Sequence, residues 1–564
     1  MNTTNDRSAG PRPDQRYQSR SRALKSRRKR RKRVILRPPS LSRGRTWWVG
    51  GVVTVVLLLF LITRCVGQPS SDSATATPDA SVRTTESAAE LTPAAASSAV
   101  VGAAGADGVT PEATPNEPGL PNAGAAPEDD PMPQVYTVRG GDTLSSIASR
   151  FGCNLDDLIA ENDINDANTL LVGQKLELTT CQTETGPAAW LLPNSEFVNS
   201  PAYIGFDVEA FAREQGGYLA NHSEKISGKM RSGPEVVELV AQHYSVGPRM
   251  LLAILEMKSG WVTNPNPAGA ERDFPMGYKG GGWELLYWQL AWAADELNKG
   301  YYDWRGRGMT PISWRDTTAT NFDPSLNAAT AGLQRFFSKN AGKKQWKIWL
   351  GDGPNGFSAN YRRLFGDPAQ YAIEPLIPAG TTQPRLALPW SQDELWYYTS
   401  GPHGAWEEGS AWAALDFVPP EKGLGCQVAK SWATAAGSGL VIRSQHGEVM
   451  IDLDGDGYEQ TGWVLFYLHL ASKNRVEVGT QVQRGDRIGH PSCEGGISDA
   501  THLHFARKYN GEWIAADGPL PMVLSGWQAH SSGKSYDGTL TRGNQTRTAC
   551  QCWKKKLNGV KAIE

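Results

Sequence analysis

THLHFARKY, residues 501–509, and GWVLFYLHL, residues 462–470, decide how the last third of the chain is read. On a strand, side chains alternate with period two. His502 and His504 therefore share one face, about 7 Å apart, with Leu503 and Phe505 on the other. His469 closes the second run and can reach the same face. Around these lie SGLVIRS (438–444), GEVMIDLD (447–454) and RVEVGTQVQRGDRIGH (475–490), short strands between glycine turns. Together they specify an antiparallel β domain over 385–530. Upstream, His403 precedes Asp416 by thirteen residues. Two histidines, one carboxylate and an open fourth position make a catalytic zinc set, whereas a structural zinc normally fills all four positions with protein ligands.

The combination of GPHG (401–404), ALDF (414–417), FYLHL (466–470), GDRIG (485–489) and the His-x-His strand resembles the lysostaphin-like, or LytM-like, zinc endopeptidases, peptidase family M23. It is most similar to their beta-lytic and staphylolytic branch, in which the first histidine lies well before the aspartate. The short spacing, His-x-x-x-Asp, would need a histidine where Trp412 stands. The resemblance implies His403, Asp416 and His504 as Zn2+ ligands, with His469 and His502 flanking the water. One imidazole would take the proton from water, and the other would stabilise the tetrahedral intermediate or protonate the leaving amine. Which does which stays open. His446 reads as a turn residue, His490 as ending a strand before a structural loop and His530 as an unremarkable residue near the tail, and His222 and His243 have no ligand-spaced partners. Asp452, Asp454 and Asp456 match positions 1, 3 and 5 of a calcium loop, but Trp463 holds position 12 in place of glutamate. An acidic hairpin turn is the first reading there, with weak Ca2+ binding the second.

Residues 134–180 form a second unit. Val135 and Val138 belong to a short strand, and Asp142 or Thr143 can cap a helix carrying Leu144, Ile147 and Phe151 on one face. A second helix starts at Asn154 or Asp156, and a final strand carries Leu176 and Leu178. This β-α-α-β pattern, with Gly141-Asp-Thr-Leu144, Asn162 and Leu171-Val-Gly-Gln-Lys-Leu176, resembles the LysM domain. The resemblance implies binding to N-acetylglucosamine-containing glycans.

Residues 195–384 read as mainly helical, with helices expected over Pro234–Tyr244, Pro248–Met257, Trp283–Leu297 and Asn327–Phe337. The line SVGPRMLLAILEMKSGW (245–261) resembles the helix of lysozyme-like transglycosylases that ends in the catalytic glutamate and Ser-Gly. Lys258 holds the glutamate's place. Glu256 lies two residues earlier, about 200° around the helix, so it cannot substitute. An ammonium cannot protonate a glycosidic oxygen as a carboxylic acid does. The expectation is a degenerate lysozyme-like domain without glycosidase activity.

The ends set the location. Residues 1–45 hold 16 Lys/Arg against Asp6 and Asp14, leaving the rest of the chain acidic by 15 charges. That balance is a poor match to phosphate backbones and argues against a nucleic-acid partner. TWWVGGVVTVVLLLFLIT, residues 46–63, is uncharged and spans about 27 Å as a helix, close to a ~30 Å hydrocarbon core. The expectation is a single transmembrane helix with a cytoplasmic basic segment 1–45 and everything after Arg64 extracellular. A cleaved signal segment, which would leave the protein secreted, is the alternative. Residues 64–133, rich in Ala, Pro, Ser and Thr, read as a disordered linker, and 531–564 as a C-terminal tail. Six of the seven cysteines lie well outside the membrane on this topology, and Cys65 is juxtamembrane. Cys153–Cys181 and Cys426–Cys493 are the natural local pairs, although pairing cannot be fixed from sequence, and Cys550-Gln-Cys552 is too sparse for a metal site. The whole describes a multidomain zinc endopeptidase acting on peptidoglycan. The alternative is a non-catalytic peptidoglycan-binding scaffold with a structural or vestigial zinc site.

Overall fold

The computed structural model describes residues 135–563, except 139–141, 152, 167–169, 172, 180, 182–184, 281, 308–310 and 315–318. The basic segment, the apolar run 46–63 and the linker 64–133 lie outside the described residues. Among the described residues no helix is long and apolar enough to cross a membrane.

The first unit is built as its sequence pattern requires. Strand β1 (Val135–Thr137) pairs antiparallel with β2 (Lys175–Glu177), and between them run α1 (Leu144–Phe151) and α2 (Leu155–Glu161). Thr143 and Ser146 exchange side chain-to-amide bonds at the start of α1, and Asn154 caps α2 by accepting from the Asp156 and Asp157 amides. Tyr136, Val138, Leu144, Ile147, Phe151, Leu158, Leu176 and Leu178 form the core. The Asn162 side chain accepts from the Glu177 amide and donates to its carbonyl, tying the end of α2 to β2. A disulfide joins Cys153 to Cys181.

The middle region is mainly helical. Its principal helices are α3 (Gly233–Tyr244), α4 (Pro248–Ser259), α5 (Leu286–Tyr302), α6 (Ala328–Asn340), α7 (Lys343–Leu350) and α8 (Phe357–Phe365). A capping box from Ser232 and Glu235 starts α3. Helix α5 begins three residues later than expected, leaving Trp283 on the preceding loop. At the centre, fully buried Glu196 pairs with Arg249 at 2.5 Å and accepts from the Tyr203 and Tyr361 hydroxyls.

The last region is a nine-stranded antiparallel sheet. Its strands are β3 (Leu395–His403), β4 (Ala414–Val418), β5 (Gly439–Gln445), β6 (Glu448–Asp452), β7 (Trp463–Leu468), β8 (Gln481–Val482) and β9 (Leu503–Tyr509). After β9 come β10 (Val523–Leu524), β11 (Trp527–Ser531), β12 (Gly538–Arg542) and β13 (Gln545–Thr548), which make a separate four-stranded sheet, and then β14 (Gly559–Lys561). The main order is β8-β5-β6-β7-β9-β4-β3-β14, with 512–513 pairing on β9.

One expectation about boundaries is corrected, and the core proves continuous across another. Residues 531–564 are not a tail: β11 crosses the division at 530, and β14 completes the edge of the main sheet by pairing with β3. Their Thr- and Arg-rich strands lack long apolar runs, which is why the segment read as a tail. Nor is the core divided at 384/385. On one face of the sheet, Leu415, Phe417, Leu465, Tyr467, Leu503 and Phe505 pack with Trp527 and Leu540 of the small sheet. On the other, Ala414, Met450, Val464, Phe466, Leu468 and Ala506 share a single core with the helical region. Asp416 and His504 lie on this second face by alternation.

Candidate active site

The five expected site residues come together where β3, β4, β7 and β9 meet. His504 pairs in register with Asp416 on one side and Leu468 on the other, which places three neighbouring strands at one point. His403 ends β3, beyond a register shift that turns it toward the sheet face. His469 follows β7 with a left-handed backbone, φ 68°, which swings its ring back over the sheet. His502 precedes β9 and is bridged to Ser492.

Each histidine is oriented by a main-chain carbonyl. His403 Nδ1 lies 2.8 Å from the Gly401 carbonyl, His504 Nε2 2.9 Å from that of Ala405, His469 Nδ1 3.1 Å from that of Glu494 and His502 Nδ1 2.8 Å from that of Ala500. A carbonyl only accepts, so these nitrogens carry the proton and the opposite nitrogens present lone pairs. Those lone pairs converge. His403 Nε2, His504 Nδ1 and Asp416 Oδ1 stand 3.1–3.3 Å from one another. The edge of a tetrahedron with ligands at about 2.0–2.1 Å is about 3.3–3.4 Å, so the donor set fits a zinc-sized cation. Three electron-pair donors brought this close without a proton between them would repel unless a cation lay among them.

His469 and His502 stand beside this group, rings 4.4 Å apart, and His502 Nε2 is 3.7 Å from Asp416 Oδ1. Burial would raise the Asp416 carboxyl, but the imidazoles of His403, His502 and His504 gathered around it outweigh burial and hold it well below the usual range, so it is a carboxylate. Burial, reinforced by His502 and His504, pushes His469 well below its ordinary value, so it is neutral at pH 7. The Cys426–Cys493 disulfide joins the two loops before β9, and Thr501 donates its amide to the Gly425 carbonyl. These contacts position His502.

Sequence reasoning missed Tyr536. Its ring stacks on His403 at 4.5 Å, it is 45% exposed, and its main chain bonds reciprocally with 401–402. An aromatic in the turn Gly533-Lys-Ser-Tyr-Asp-Gly538 was the only signal. His243, read as unclustered, is buried 3.2 Å from Glu448, and His446 occupies the β5–β6 turn. Asp452, Asp454 and Asp456 gather within 4.8 Å, but in the turn between β6 and β7 they accept from amides of that same turn. This is the acidic hairpin turn.

Three family models match: LasA, N-terminal domain, over residues 190–379, LysM domain over 136–179, and peptidase family M23 over 421–516. The chain joins a LysM domain to a family M23 peptidase. It is a metalloendopeptidase in architecture. Protease LasA of Pseudomonas aeruginosa is 25% identical over 340 residues, covering 56% of this chain and 73% of the relative. Beta-lytic metalloendopeptidase of Lysobacter enzymogenes is 24% identical over 164 residues, 28% of this chain and 85% of the relative. Among solved structures, the M23 metalloprotease pseudoalterin is 25% identical, covers 30% of this chain and 96% of that chain, and has a TM-score of 0.25. The M23 match begins after His403 and Asp416, and strand register brings those two to His504.

Proposed function

We propose that this chain is a zinc-dependent endopeptidase that hydrolyses peptide bonds of peptidoglycan and is held at the wall by its LysM domain. The observation that carries it is the set of three carbonyl-anchored imidazoles, His403, His502 and His504, whose opposite nitrogens face Asp416, with the carbonyl-anchored His469 ring beside them. His403, Asp416 and His504 would hold the zinc. When bound, zinc acidifies water and polarises the scissile carbonyl. Of the remaining pair, one unprotonated Nε2 accepts the proton of the attacking water. The other imidazole, once protonated, steadies the developing oxyanion or gives its proton to the leaving amine. Both assignments fit the 4.4 Å ring pair. A scaffold with a structural zinc fits less well, because the cluster offers three ligand residues and not four, with two further imidazoles at its edge.

The same reading makes the helical region non-catalytic toward glycans. Glu256 accepts from the Val262 and Thr263 amides, the Thr263 hydroxyl and Arg363, so its carboxylate is fully engaged at the end of α4. Lys258 points elsewhere, over the Trp349 ring. Attachment to the membrane through 46–63, with the N-terminus cytoplasmic and the folded regions outside the cell, remains part of the proposal. Metal analysis tests the site: one zinc per chain is expected in the unsubstituted protein and near none in His504→Ala. Full zinc content in His504→Ala would refute the ligand set.

A further inference from the structure

Away from the metal centre, the helical region carries a continuous run of aromatic rings that the peptidase chemistry does not use. Trp283 meets Tyr278 edge-on at 5.2 Å, and Tyr278 stacks on Trp292 at 4.8 Å. Trp292 rests on Phe336, which contacts Phe337, and Phe337 leads to Trp349. The Lys258 ammonium lies 3.8 Å over the Trp349 ring. Gly277 closes the circuit: a Cβ there would stand 3.1 Å from Lys258 Nζ and from Asn340 Oδ1. Phe336 and Phe337 are buried, whereas Tyr278, Trp283, Trp292, Trp349 and Lys258 are half-buried.

The shelf is rigid by construction. The Gln289 side chain, fully buried, donates to the Tyr278 and Trp283 carbonyls at 2.7 and 2.6 Å and accepts from the Met276 and Tyr278 amides. One side chain thus fixes the loop that presents two of the rings. A buried polar group with its valences satisfied in this way specifies a conformation rather than merely filling space.

We propose that this shelf is a second glycan-binding surface, taking the acylated amino-sugar strand of peptidoglycan without cleaving it. The flat C–H face of a pyranose complements the electron-rich face of an aromatic ring. Lys258 and Asn340 at the border can meet the carboxylate and amide substituents of the strand. A protein partner fits less well. An aromatic side chain buries about 150–250 Å², so four half-sunken rings offer on the order of 400 Å², against roughly 800 Å² per side in a stable protein interface. Binding here goes beyond the peptidase reading and is independent of it. Its effect would be to hold the strand beside the peptidase through a lobe that shares the peptidase's core.

The test uses the full chain and a soluble N-acetylglucosamine oligomer, followed by tryptophan fluorescence. The LysM unit, 136–179, contains no tryptophan, so its own binding contributes no direct signal. The unsubstituted chain should show a saturable change. Tyr278→Leu and Trp283→Phe should each weaken it at least tenfold with an unchanged melting temperature. In the unsubstituted chain, saturating oligomer should also protect the amides of 276–283 from hydrogen exchange, a readout that needs no variant. The proposal is overturned by an absent fluorescence response, by full affinity in both variants, by unprotected 276–283 amides, or by a response to free stem peptide and not to the sugar.

Discussion

Glu448→Gln tests the shared core of the helical and peptidase lobes. Glu448 is on β6 with a side chain 1% exposed, 3.2 Å from His243 Nε2 of α3 and 3.2 Å from Arg443 Nε. These contacts are close but fall short of hydrogen-bond geometry. Arg443 also holds Glu459 at 2.9 Å, and Glu459 lies 3.7 Å from the buried Lys508. Breaking a buried pair costs about 3–5 kcal/mol. Because Arg443 keeps Glu459, the lower end applies, about 3 kcal/mol, or on the order of 5 °C in melting temperature for a unit of this size. The pH dependence has a definite sign. Burial would raise the Glu448 carboxyl, but His243 and Arg443 outweigh it and hold it below its ordinary 4.5. The stabilisation is therefore present above about pH 4.5 and lost as pH falls through the folded-state value. Calorimetry of the full chain should show one transition covering both lobes. Glu448→Gln should melt lower at pH 7, and the gap should close at strongly acid pH. An unchanged melting temperature at pH 7, or a gap that persists in acid, would refute the reasoning.

His469→Ala and His502→Ala should each keep zinc but lose about 10²–10⁴-fold in turnover, measured as peptide hydrolysis alongside metal content. Arg249→Met should destabilise the chain by about 3–5 kcal/mol, read by denaturant unfolding, because it removes the ion-pair partner of the fully buried Glu196. Digestion of peptidoglycan by the full chain should create no new reducing sugar ends. Appearance of such ends, and their loss in Glu256→Gln, would overturn the non-catalytic assignment of the helical lobe.

What was legible in the sequence follows the range of the interactions. The LysM unit was readable almost residue by residue, because its caps at Thr143 and Asn154 and its apolar periodicity are local. The shared face of His502 and His504 follows from strand alternation alone. His403 and Asp416 lie about ninety to a hundred residues from His504, and no local rule pairs them; they entered through family resemblance, and strand register then brought them together. Tyr536 was invisible because its contact with His403 depends on how 531–564 folds back over the sheet. That the core runs across 384/385 was out of reach for the same reason. Alternation on β7 and β9 shows that both faces are apolar, but not that a helical lobe supplies the partner for one of them. Periodicity predicts a helix from Trp283, whereas the Gln289 bonds to Trp283 and Tyr278 hold that segment as a loop.

The most direct test of the central claim is mass spectrometry of purified peptidoglycan after incubation with the full chain, with chelator, and with chelator followed by zinc. The account predicts new peptide amino and carboxyl termini, their disappearance with chelator, and their return with zinc. Termini released equally with and without chelator, or no peptide termini from the zinc-loaded protein, would contradict it.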